Sequence, residues 1–330
     1  VKILYLPIIE PGAFHEVALK NKRGLLDALI ARGHTVQQFD YMAFDINTYD
    51  MVSALAVGNE VDLLLTQFHG PDHLSPSELR ALRVLRPSMK IINWSGDSWT
   101  HSLTSPGMMD LCKELDLQLV ASPDVLPDYE AAGIRAHYWQ IAYEQPVGDL
   151  PAMPTYDIVF LGNVINDKRR EMLEMLRALP YRVGIYGDWE HADGHNTYDF
   201  GQGEALYKNA TLAIADNVYP DSQNYISNRP FQILMAGGAL MLHQRVENME
   251  ALAGLEGGRH YVEWDELHDL RARIDYWLMA SEDPSNTTIR RWGRTKMIYA
   301  GQAYAREHHT YANRVAQLLD EFLPELEAVS

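Results

Sequence analysis

The chain has 330 residues, 47% of them apolar and 22% charged, an ordinary globular composition in a chain long enough for two hydrophobic cores. Its formal net charge of -17 opposes general binding to nucleic acid or acidic lipid, and its single cysteine, Cys112, excludes an intrachain disulfide and a cysteine-based metal cluster. No apolar run approaches the ~20 residues of a membrane-spanning helix, and the opening VKILYLP reads as a buried strand, not a signal peptide, so a reducing cytoplasm is the expected location.

In chain order, the apolar run Val1–Pro7 predicts a strand, and a turn at Pro11-Gly12 leads into a helix over His15–Arg32 that stops at Gly33. Strands follow at Thr35–Tyr41 and Val61–Phe68, then the polar loop His69–His73 and a helix opened by Ser75 and Glu78. Lys90–Trp94 and Leu117–Ser122 are further strands, with a short helix over Asp124–Ala132. This alternation predicts a doubly wound parallel sheet. EQPVGDLPAMPTY (Glu144–Tyr156) has three prolines and no periodicity, and reads as a linker.

The alternation then restarts. Strands are expected at Asp157–Leu161, Arg182–Tyr186, Thr211–Ala215, Ala239–His243 and Tyr261–Trp264. Helices are expected at Asp167–Leu179, Gln202–Asn209, Asn228–Ala236, Glu247–Leu252 and Asp265–Ala280, with a helical tail over Thr288–Leu326. The predicted domains are 1–150, 151–300 and a C-terminal helix over 301–330. Two such sheets facing a cleft would open their strand-end loops toward it. Basic residues cluster locally at Lys168-Arg169-Arg170 and at Arg290-Arg291-Trp292-Gly293-Arg294, against the overall acidic balance.

The segment NYISNRPFQILMAGG (Asn224–Gly238) resembles the donor-binding helix of retaining GT-B glycosyltransferases, most closely the spore-maturation CgeB-like branch with its Ser-x-Arg-x-Phe-Glu-x-Leu-x-x-Gly pattern. The following strand, the Tyr261–Leu267 segment and Thr310–Leu319 after Glu307-His308-His309 fit as well, so the resemblance covers most of Asp157–Leu319. It implies an α/β GT-B fold whose C-terminal helical tail packs back toward the N-terminal domain. It also implies a hexosyltransferase moving a sugar from a nucleotide sugar, UDP-linked by expectation, to an acceptor hydroxyl with retention, needing no metal or other cofactor. The related families carry Glu-x7-Glu where this chain has Asn224 and Gln232. A glutamine still hydrogen-bonds a hydroxyl, but without charge.

For the donor diphosphate, Arg229 at the helix start is the expected bidentate ligand, with Ser227 and Asn228 either touching the phosphates or capping the helix. Tyr225 and Gln232 complete that segment's donor contacts. Asn163 stands where the family has an arginine, and Lys168 or Arg169 supplies charge there or lies solvated on a first helical turn. Gly12 and Asp188, in strand-end loops, border the donor or simply turn the chain. On the acceptor side, Asp97 and His15 are the candidate catalytic bases, and His69, Trp94 and Asp97 the candidate acceptor contacts. His69 and His73 match no zinc spacing. The acceptor is a glycan, a small molecule or a hydroxymethylated DNA base of the phage type. A sugar-nucleotide epimerase and a non-catalytic binding protein stay open beside the transferase.

Overall fold

The run Ile3–Leu6 is fully apolar and becomes a strand buried on both faces, the position that parallel sheets flanked by helices create. The computed structural model describes residues 1–7, 18–41, 47–96, 107–144, 149–194, 201–217, 223–279 and 284–327. The chain divides into two units, Val1–Ala142 with Asp221–Tyr225 and Tyr311–Ser330, and Tyr143–Pro220 with Ile226–Thr310.

In the first unit β1 (Lys2–Leu6), β2 (Thr35–Gln38), β3 (Leu63–Thr66), β4 (Lys90–Ser95), β5 (Leu117–Val120) and β6 (Ala136–Tyr138) form one parallel sheet in the order β2-β1-β3-β4-β5-β6. Its helices are α1 (Ala18–Ala31), α2 (Thr48–Gly58), α3 (Pro76–Leu85), α4 (Met108–Cys112) and α5 (Leu126–Ala131). The expected capping box opens α3: Glu78 N–H donates to Ser75 Oγ, and Ser75 N–H donates to Glu78 Oε2 at 2.7 Å. Sequence reasoning missed α2, α4 and β6. The last is a three-residue, half-buried edge strand with too few residues to show a period.

Across β3, β4 and β5 a buried amide row replaces apolar packing. Thr66 Oγ1 donates to Asn93 Oδ1 at 2.8 Å, and Asn93 Nδ2 donates to Gln118 Oε1 at 2.9 Å, so each buried polar group is answered. One sheet face is covered by α1 and by residues 311–327, which carry α12 (Tyr311–Gln317), a π-helical turn (Leu318–Phe322) and α13 (Leu323–Glu327). Leu25 and Leu29 share that core with Val315 and Leu318. Trp139 Nε1 donates to the Arg314 carbonyl at 3.1 Å, and Arg314 Nε donates to the Gln140 carbonyl at 2.6 Å. The tail expected to pack back does so from residue 311 onward. Residues 301–308 belong instead with the second unit, because they complete its longest helix.

The second unit holds β7 (Tyr156–Leu161), β8 (Val183–Tyr186), β9 (Ala210–Ala215), β10 (Leu240–Gln244) and β11 (Val262–Trp264), all parallel, in the order β11-β10-β9-β7-β8. Its helices are α6 (Asp167–Arg177), α7 (Gln202–Lys208), α8 (Arg229–Ala236), α9 (Met249–Ala253), α10 (Leu267–Leu278) and α11 (Pro284–His308). Counted from its own first strand, each sheet runs second, first, third, fourth, fifth, so the repetition legible in the sequence is one of topology. Two doubly wound parallel α/β units with a helical tail are the architecture expected from the alternation of strands and helices. Ile158 and Phe160 face one core of the second unit, and Val159 and Leu161 face the other. Such alternation between two buried faces explains why β7 reads as a continuous apolar run.

Candidate functional site

In a doubly wound sheet, ligands bind beyond the carboxyl ends of the two strands between which the order reverses. In the second unit those strands are β7 and β9. After β7 come Gly162 and Asn163, and after β9 come Asp216 and Asn217. Two helices send their first turns to this point. Arg169 lies on α6, whose start is set by Asn166 accepting from the Arg169 N–H at 2.8 Å. Arg229 is the first residue of α8.

Asp216 joins the two arginines. Arg169 donates to it through Nε at 2.7 Å and Nη2 at 2.8 Å, a bidentate fork, and through Nη1 to the Asn163 carbonyl at 2.8 Å. Arg229 Nη1 donates to Asp216 Oδ1 at 3.2 Å. Both guanidinium groups lie over the Phe160 ring, at 5.6 and 5.4 Å from its centre. Arg169 is 3% exposed and Asp216 7%, whereas the Arg229 side chain keeps 14% of its surface. Two cations share one carboxylate, so the trio carries a surplus positive charge, and it is exposed on the Arg229 side. Among the described residues, Asp216 is the one side-chain acceptor that the Arg229 guanidinium reaches.

The loops around the trio are tied together. Gly162 N–H donates to the Tyr186 carbonyl at 2.8 Å, and Asp188 N–H donates to Asn163 Oδ1 at 2.9 Å. Gly187 is required there: a Cβ on it would sit 2.1 Å from the Gly162 carbonyl oxygen. Ser227 Oγ accepts from the Arg229 N–H at 3.4 Å, and the Asn228 carbonyl accepts from the Gln232 N–H at 3.1 Å. Pro230 at the second helical position has no N–H to satisfy. His309 stacks on Phe231 at 4.2 Å and its Nε2 bonds the Ala253 carbonyl, so this histidine braces α8 from behind.

His243, 2% exposed at the end of β10, lies beside the trio. Its Nδ1 donates to the Gln244 carbonyl at 2.5 Å, which places the proton on Nδ1, since a carbonyl only accepts. Burial pushes its pKa from 6.5 to about 4; the Gln244 carbonyl and Asp216 pull it upward and Arg229 opposes them. Between those two values the unfolded chain binds a proton that the folded chain refuses. The stability contributed is therefore complete above pH 6.5 and is lost as pH falls toward 4. A depression of this size corresponds to roughly 3 kcal/mol. Unfolding free energies of the wild type and His243→Asn, measured from neutral pH down to about 4, are expected to converge on acidification. Parallel curves would remove His243 from the acid sensitivity.

The sequence-predicted residues separate under this geometry. Asn163, Arg169, Asp188, Ser227, Asn228, Arg229 and Gln232 gather at the end of β7 and the start of α8, in one unit. Arg169 is not a solvated first-turn residue: its fork closes on Asp216 because the first turn of α6 packs over the strand ends. Lys168, its neighbour, is exposed and outside the trio. Tyr225 is 5% exposed and goes with the first unit, as does Asn224, whose N–H and Nδ2 donate to Asp124 at 3.0 and 2.5 Å. Trp94, expected to contact an acceptor, is instead core: it packs edge-on against Trp139 at 5.0 Å and lies 6.4 Å from Tyr311. His69 is exposed in the loop after β3, while His73 packs against Tyr41 at 4.5 Å. Gly12, His15 and Asp97 lie outside the described residues. Among the described residues no three His, Cys, Asp or Glu side chains converge as a metal site. Asp216 escaped sequence reasoning, since one acid after a strand has no distinguishing pattern.

Residues 168–320 match the model of a family described as glycosyl transferase-like. That span starts on α6 and takes in Arg169, Asp216 and α8, so the similarity falls on the part of the chain that holds the trio. No curated protein sequence matches the chain. Among solved structures, a mutant of TarM from S. aureus, in complex with fondaparinux, alpha-GlcNAc-glycerol and UDP, is similar at 9% identity and a TM-score of 0.49, over 81% of this chain and 58% of that one. A glycosylation-associated protein complex from Streptococcus agalactiae is similar at 11% identity and a TM-score of 0.45, over 84% and 57%. The chain thus spans less than two thirds of the length of both.

Proposed function

We propose that the protein is a glycosyltransferase that moves a sugar, a hexose by expectation, from a nucleoside-diphosphate sugar to an acceptor hydroxyl. The observation that carries this reading is the Arg169–Asp216–Arg229 trio at the switch point, with its surplus charge on Arg229 at the N-terminus of α8. As the glycosidic bond breaks, negative charge accumulates on the departing diphosphate. Arg229 offers a planar fork of donors to that charge, and the helix dipole adds a positive end in the same place. Asp216 and Arg169 hold the fork's direction without neutralising it. Fixed protein cations supply the role a divalent ion has elsewhere, which supports a transferase needing no bound metal.

Gln232 lies one turn into α8 and half-buried, suited to a neutral hydrogen bond with a donor hydroxyl. The resemblance to CgeB-like transferases supports retention, with the leaving phosphate accepting the acceptor's proton. That route makes Asp97 and His15 dispensable as bases, and an inverting route would need one of them. A UDP-linked donor is the first candidate.

Incubation with UDP-, GDP- and TDP-sugars tests the reading, with thermal stabilisation and release of nucleoside diphosphate as readouts. Stabilisation by one nucleotide family with slow diphosphate release is the expected result. Failure of every nucleotide sugar to stabilise the protein would sink the proposal. A new sugar nucleotide formed without acceptor would make it an epimerase, and binding without turnover a binding protein.

A further inference from the structure

Away from this site, α11 presents a face unlike the rest of the surface. Of the eleven large hydrophobic residues exposed among the described residues, five fall between positions 276 and 299: Tyr276, Met279, Ile289, Trp292 and Tyr299. Ile289, Trp292 and Tyr299 recur at helical spacing and line the outward side of α11, two thirds exposed in each case. Lys296 falls between them, with its ammonium 5.6 Å from the Trp292 ring centre. Arg290 joins this face to the end of α10, donating to the Tyr276 carbonyl at 3.0 Å with its guanidinium 4.4 Å from the Tyr276 ring centre.

The charge is equally distinctive. The chain holds 45 acidic against 28 basic residues, yet residues 284–306 contain five cations and no carboxylate. Elsewhere the surface arginines of this unit are paired, as in Arg177–Asp193, Arg182–Asp157, Arg245–Glu263, Arg271–Asp275 and Arg273–Asp269. Among the described residues none of Arg290, Arg291, Arg294 and Lys296 makes an ion pair. The adjoining acids in sequence, Glu282 and Asp283, lie outside the described residues. Burial, and after it the neighbouring Arg291, lower the Arg294 pKa. Beside the face, a groove of about 730 Å³ runs over Val262, Tyr276, Trp277 and Met297, with Glu263, Asp269 and Arg273 at its edge.

We propose that the outer face of α11 docks on the surface of an anionic phospholipid bilayer. Tryptophan and tyrosine settle at the headgroup boundary, where an apolar ring and a polar edge are both satisfied. Lysine and arginine lay their stems on apolar surface and carry their charge to the lipid phosphates. A second copy of this chain is the poorer occupant, since pairing this face with itself would set its cations against one another, and the other exposed large hydrophobics among the described residues, such as Ile30, Val84 and Ile165, are scattered along the chain. The segment lies on the helix and does not cross, in keeping with the finding that no described helix is long and apolar enough to span a membrane.

Flotation of the protein with phosphatidylcholine vesicles, with and without phosphatidylglycerol, tests this. Binding is expected only with phosphatidylglycerol and should weaken as salt rises. Lys296→Glu changes the charge by two units and is expected to weaken binding roughly thirtyfold, at about 1 kcal/mol per unit of charge. Trp292→Ser should also release the protein, and both variants should unfold at the wild-type temperature because the side chains are exposed. Absence of binding to the anionic vesicles, equal binding to both vesicle types, or binding unchanged in the two variants would overturn the proposal. So would concentration-dependent self-association abolished by Trp292→Ser, which would assign the face to a second copy.

Discussion

Arg229→Ala is expected to lower turnover of the nucleotide sugar by about 10²–10³-fold, the usual cost of removing one fixed donor from a charge that develops in the transition state. Most of the loss should appear in kcat, because the diphosphate gains charge only as the bond breaks. Folding should hardly change. Arg229 is the more exposed and more weakly paired of the two cations on Asp216, and its removal relieves repulsion with Arg169. Arg229→Lys should fall between the two, since an ammonium keeps the charge but loses the planar fork. Steady-state kinetics with urea unfolding in parallel measure both quantities. A wild-type rate in Arg229→Ala would end the diphosphate role of this residue.

Asp216→Ala is expected to act in the opposite way, chiefly on stability. It leaves Arg169 buried without its carboxylate and sets two cations against one another over Phe160. Breaking a buried pair by deleting one partner costs about 3–5 kcal/mol, which is a third or more of the stability of an ordinary domain. The double variant Asp216→Ala with Arg169→Met should recover part of that loss, because the stranded charge goes with its partner. Urea midpoints of the single and double variants check the sign. A double variant no more stable than the single one would show that Asp216 acts otherwise than through Arg169. Together the two substitutions separate the group that meets the ligand from the group that aims it.

Much of this architecture was legible in the sequence because its signals are local. Ser75 and Glu78 announce α3, and Pro230 and Gly237 bracket α8. The start of α8 at Arg229 was legible for the same reason. The partner that organises it was not. Asp216 follows a strand just as Asp97 and Asp188 do, and its importance arises only when α6 and α8 return to the same strand end. Arg169 could be read either as charge for a donor or as a solvated residue, because a first helical turn is usually wet. Packing over the end of β7 turned it inward. Asn224 shows a third limit: it stands where the family has a glutamate, and nothing in the sequence indicated that its hydrogen bonds run to Asp124, 100 residues earlier in the chain.

The interleaving of the chain between its two units has a bearing on how the protein is made. One face of the first sheet, with Trp94 and Trp139, is closed by Tyr311, Val315, Leu318 and Phe322. On the ribosome, residues 1–142 therefore emerge with their strands complete but with the part of that apolar face that α1 leaves open uncovered until the segment near residue 311 follows. The second unit, apart from residues 221–225, is continuous enough to fold in the meantime. Synthesis should thus finish the later-made unit before the earlier one. The uncovered sheet face is then the surface that a chaperone must shield, and the one through which a truncated chain would aggregate.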